Sequence, residues 1–72
     1  MARIRVVKNV DMLLLEYETL FGSTMVATFY PESNLLVMHD GWSRCLEGAL
    51  KALREYQKAN HQAVLPVRVE YW

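Results

Sequence analysis

Cysteine, proline and glycine are scarce in this 72-residue chain, at one, two and three residues. With Cys45 alone, no disulfide can form within the chain, and a lone thiol suits a reducing compartment; the expected location is the cytoplasm. Equally absent is any apolar stretch near the roughly 18–20 residues that span a bilayer, so no membrane partner is expected. The opening Met1-Ala2-Arg3-Ile4-Arg5 is basic but has no apolar core or cleavage pattern behind it, which argues against an export signal. A charge excess is missing as well: 8 basic and 8 acidic residues cancel. That balance weakens any general attraction to nucleic acid. No repeat, linker or low-complexity tract divides the chain, and residues 1–72 read as a single small domain.

What is present is apolar: hydrophobic residues make up 53% of the chain, which argues against disorder. A chain this short buries only about 60% of its unfolded surface, and small domains gain stability from disulfides, metals or association. Met12-Leu13-Leu14-Leu15, Met25-Val26-Ala27 and Leu35-Leu36-Val37-Met38 are runs rather than alternations. A half-exposed antiparallel strand alternates; a run points to burial on both faces.

Strands are expected at Ile4–Val7, Met12–Glu18, Thr24–Tyr30, Leu35–Met38 and Val64–Tyr71, the last interrupted by Pro66. Asn9-Val10-Asp11, Leu20-Phe21-Gly22-Ser23 and Pro31-Glu32-Ser33-Asn34 supply the turn chemistry between the first four. In the third strand, Met25, Ala27 and Phe29 are expected on one face, with Thr24, Val26, Thr28 and Tyr30 on the other. The helix follows from Trp42, Leu46, Ala49, Leu53, Tyr56 and Asn60, which with Leu50 form one apolar stripe at helical period. Arg44, Glu47, Lys51, Arg54, Glu55 and Lys58 occupy the opposite side, and Asp40 or Ser43 is placed to cap the N-terminus. Gly48 inside the helix costs about 1 kcal/mol relative to alanine, so it marks either a tolerated surface position or a close backbone approach.

These elements give an α+β fold: a two-layer, mostly antiparallel sheet of 4–5 strands under one amphipathic helix, in the order β-β-β-β-α-β. One helix covers one sheet face. The other face then requires a second copy of the chain or another protein. The expected function is therefore a non-enzymatic binding protein that forms a homodimer and sequesters or regulates a protein partner. Leu14, Val26, Leu36, Tyr71 and Trp72 are the candidate partner-binding residues, on the uncovered sheet face or at a sheet edge.

Charge is unevenly distributed along the chain. Arg3, Arg5 and Lys8 lead, and Asp11, Glu16, Glu18, Glu32 and Asp40 follow with no lysine or arginine among them. This either pairs internally or presents a dipolar surface to a partner. A nucleic-acid-binding module using Arg3, Arg5, Lys51, Arg54 and Arg68 is the alternative, with sheet aromatics available for stacking. The acidic middle segment opposes phosphate approach. Catalysis has one candidate pair: Cys45 near the helix start and His39 at the preceding strand end. Cys45 reads more simply as a small core residue. His39, Asp40, Cys45 and His61 lack the close paired spacing of metal ligands, so no metal or cofactor is expected.

From Leu13 to Pro66 the chain resembles the partner-binding domain of HicB-like antitoxins. The resemblance rests on two strands, Pro31-Glu32, a third strand, Gly41-Trp42-Ser43 opening the helix, Glu47-Gly48-Ala49-Leu50 with Ala52-Leu53, and Leu65-Pro66. The family's Pro-Asp-Leu-Pro-Gly segment is absent, the glutamate stands one residue further from the helix start, and residues 67–72 carry no DNA-binding segment. The resemblance implies a dimeric, non-catalytic protein that masks its partner, as an antitoxin or a phage or plasmid accessory inhibitor does.

Overall fold

In the computed structural model, which describes residues 3–72, turn residues set the element boundaries. Met1 and Ala2, the start of the basic opening stretch, lie outside the described residues. The elements are β1 (Arg3–Asn9), β2 (Met12–Thr19), β3 (Gly22–Tyr30), β4 (Leu35–Met38), α1 (Leu46–Ala59) and β5 (Arg68–Tyr71). This is the expected α+β order. Val10-Asp11 and Leu20-Phe21 make the first two turns. Pro31–Asn34 makes the third, closed by Asn34 N–H donating to Pro31 O at 3.3 Å. The strand order in the sheet follows the sequence, β1-β2-β3-β4-β5. The first three pairings are antiparallel, and β5 runs parallel to β4 because the helix returns the chain across the sheet. β1 runs longer than Ile4–Val7. β5 is shorter than expected and begins only at Arg68; Val64 and Leu65 are exposed ahead of it, on the other side of Pro66.

The core lies under the helix. Leu13 and Leu15 of β2, Ala27 and Phe29 of β3, and Leu36 and Met38 of β4 share the helix-facing side, as their register requires. Ala49 and Leu53 meet them from α1, and Ile4, Val6, Tyr17, Leu46, Leu50 and Tyr56 close the margins. The helical stripe matches the sequence reading from Leu46 to Tyr56; Trp42 lies ahead of the helix rather than in it, and at the far end Gln57 is buried and Asn60 is exposed. Trp42 packs its ring on Tyr17, centroids 5.5 Å apart. At Gly48 a β-carbon would lie 3.1 Å from Ile4 Cδ1, so the small residue marks a close approach of α1 to β1.

The alternation expected in β3 fails at one residue. Leu15 lies opposite Ala27, but Glu16 lies opposite Met25, so Val26 is an extra residue forming a β-bulge. The bulge places Met25 on the face away from the helix, opposite to Ala27, and Val26 is fully buried in the core.

The helix start also differs from expectation. A 3-10 turn, Ser43–Cys45, leads into α1, and Cys45 occupies the cap position with no side-chain cap bond from Asp40 or Ser43. The C-terminus is closed by Gln62 N–H to Gln57 O at 2.8 Å and His61 N–H to Lys58 O at 3.1 Å. This pattern normally uses glycine at the left-handed position, which His61 occupies here with φ 57°. No helix among the described residues is long and apolar enough to cross a membrane.

Replacing His61 with glycine removes the left-handed strain and is expected to stabilise the fold by about 1 kcal/mol. Denaturant unfolding of His61→Gly against the parent chain checks this.

Candidate functional site

The sheet face away from α1 is built by the other half of each strand. Pairing carries one row across all five strands: Val7 opposite Leu14, Leu14 opposite Thr28, Thr28 opposite Val37, and Val37 opposite Glu70. Val7, Leu14 and Val37 are half-buried with no described element over them. On one side of this row stand Met12, Tyr30 and Leu35, and on the other Met25. Thr28 is the polar member, buried with its Oγ1 3.0 Å from His39 Nε2 and 3.8 Å from Met25 Sδ. The result is an open face with an apolar centre.

One corner of this face is ionic. Arg3 lies opposite Glu18 and Arg5 opposite Glu16, and their side chains close to 3.5 Å and 3.2 Å, with a third pair, Arg5 to Glu18, at 3.1 Å. The basic start and acidic middle therefore neutralise each other across β1 and β2. Such exposed pairs contribute about 0.2–1 kcal/mol each and fix register more than stability.

The partner-binding candidates divide. Leu14 stands at the centre of the open face. Val26 and Leu36 do not: each is 0% exposed and belongs to the core beneath α1. Val26 is drawn in by the bulge, and Leu36 lies opposite Phe29 on the helix side. Tyr71 and Trp72 are 60% and 80% exposed at the β5 edge. Trp72 is nonetheless anchored, its N–H donating to Met38 O at 2.9 Å and its ring meeting His39 edge-on at 5.7 Å. With Met25, His39, Asp40 and Trp42 it borders an open hollow of about 620 Å³. Val7, Thr28 and Val37 are the members that sequence reading missed; the strand register places them. Leu20 and Phe21, read as loop, put two exposed apolar side chains at the tip of the β2–β3 hairpin.

The alternative cationic set does not converge. Arg3 and Arg5 are engaged with glutamates on the β1 side. Arg68 is on β5, at the opposite edge of the sheet. Lys51 and Arg54 are exposed on α1, in the other layer, and Lys51 shares a shallow groove with Arg3 and the acid Glu55. His39 is occupied by Thr28, and the half-buried Cys45 packs against the core. Among the described residues no group of three or more histidine, cysteine or acidic side chains is arranged to hold a metal.

Compared with family models, curated proteins and solved structures, the chain matches none.

The assignment of Leu36 and Val26 to the core has a direct consequence. Leu36→Ala is expected to cost about 2–5 kcal/mol through the cavity it leaves. Arg5→Ala, which removes two ion pairs near the surface, is expected to cost less, about 0.4–2 kcal/mol. Urea unfolding of the two variants checks the ranking.

Proposed function

We propose that this chain is a non-enzymatic binding protein that forms a homodimer and sequesters or regulates another protein through the open sheet face. The observation that carries this reading is the row Val7, Leu14, Thr28, Val37 and Glu70, apolar at three of its five positions and facing away from α1. A contiguous apolar patch with an ionic corner has the composition of a protein-recognition surface: an apolar centre to bury and a charged rim to orient. Tyr30, at the margin, and Trp72, at the β5 edge, supply the residue types that anchor such contacts. The engagement of His39 by Thr28 and the packing of Cys45 support a role without chemistry. The HicB-like resemblance, and with it a role as an antitoxin or as a phage or plasmid inhibitor acting in the cytoplasm, belongs to the same proposal.

The test is a comparison of variants as bait. Val37→Glu and Tyr30→Ala are expected to abolish capture of the protein bound by the parent chain, with far-ultraviolet circular dichroism unchanged. Lys51→Glu, on the outer side of α1, is expected to retain it. Capture that survives both open-face substitutions contradicts the proposal. So does oligonucleotide binding that falls steeply with salt and takes the place of a protein partner.

A further inference from the structure

The geometry points to β5 as a self-pairing edge: two copies of this chain join antiparallel about a two-fold axis at Val69, forming one sheet continuous across both. This rests on the homodimer reading above and gives it a location.

The backbone groups of β5 point alternately toward β4 and away from it. Arg68 N–H donates to Asn34 O and Trp72 N–H to Met38 O, each at 2.9 Å. Peptide groups alternate along a strand, so Arg68, Glu70 and Trp72 address β4, while Val69 and Tyr71 address the free edge. No described element lies beyond that edge. Val67, just before the strand, continues the outward set. Pro66 falls on the inward set, where its carbonyl accepts from the Asn34 side chain, so its missing N–H does not interrupt the edge.

An antiparallel partner must set outward residues against outward residues. For a two-fold pair this leaves three registers centred within β5's first three residues. Centring on Arg68 sets two guanidinium groups opposite each other. Centring on Glu70 opposes two carboxylates. Centring on Val69 sets Arg68 against Glu70 of the second copy, twice, at the positions where cross-strand side chains lie closest. The same register brings Val69 against its own copy and Tyr71 against Val67 of the second copy, on the helix side of the sheet. The strand is thus self-complementary in hydrogen bonds, charge and apolar contact, as a two-fold interface requires.

The opposite edge lacks this property. β1 carries Arg3, Arg5 and Lys8 and no acid, so self-pairing there only opposes cations and neutral residues. Antiparallel joining at β5 also sets both open faces on the same side, as one double-width platform, with both helices behind it.

Charge exchange tests the register. In sedimentation equilibrium the parent chain is expected to dimerise, and Arg68→Glu or Glu70→Arg alone to weaken dimerisation roughly tenfold or more. An equimolar mixture of the two variants is expected to recover as a one-to-one heterodimer, and the doubly exchanged chain to dimerise by itself. Recovery on mixing also demonstrates that both variants are folded. A parent dimer indifferent to both substitutions, or variants that fail to recover together, overturns the β5 interface and leaves the homodimer reading standing. A parent chain that stays monomeric at every concentration overturns both.

Discussion

A 14-residue helix must cover the sheet of five strands on which this chain is built. At 1.5 Å per residue it is about 20 Å long and, with side chains, about 10 Å across. Five strands at about 4.8 Å spacing span a comparable width. One such helix can close one face and no more. The close approach at Gly48 and Ile4 seats it toward β1, and the core of Leu15, Leu36, Met38 and Leu53 fills the space beneath. Apolar content beyond that core has to appear on the far face, and it does, along Val7, Leu14 and Val37.

The far face is shaped by three local devices. Arginine–glutamate pairs across β1 and β2 hold the register of the outer hairpin and give that corner its polarity. The Val26 bulge rotates β3, sinking one valine into the core and lifting Met25 outward. Thr28 and His39 satisfy each other where β3 meets the end of β4, and Trp72 leans on the same imidazole. The β5 edge therefore joins the open face through side chains as well as through the sheet. A dimer at that edge and a partner on that face are physically compatible, because the dimer uses the outward backbone groups of β5 and the partner the apolar positions of β1 to β4.

Much of the architecture was legible in the residues. The four-residue β4 and three of the turns followed from Asn9, Asp11, Gly22, Pro31, Asn34 and the apolar runs, and the helix followed from a stripe at Leu46, Ala49 and Leu53. The face assignment was legible only in part. Leu14 could be placed on a strand but not assigned to a layer until pairing fixed Leu13 and Leu15 beneath the helix. Val26 and Leu36 went the other way: a one-residue bulge at Val26 leaves little trace in periodicity, and the face of Leu36 within its apolar run was set only by its pairing with Phe29. The adjacent pair Val26-Ala27, both fully buried, is that trace. The parallel docking of β5 on β4 was not legible at all, since it depends on where the helix returns the chain. The ionic corner was readable as a charge imbalance along the chain, but its closure between Arg5 and Glu16 needed the hairpin register.

The central claim is that one layer of this sheet is sealed and the other open in the protein by itself. Solvent paramagnetic relaxation of the methyl groups measures this directly, using a neutral soluble gadolinium chelate on the isolated chain. The account predicts enhancements several-fold larger at Val7, Leu14 and Val37 than at Leu13, Leu15, Val26 and Leu36. Equal protection of the two sets would contradict it.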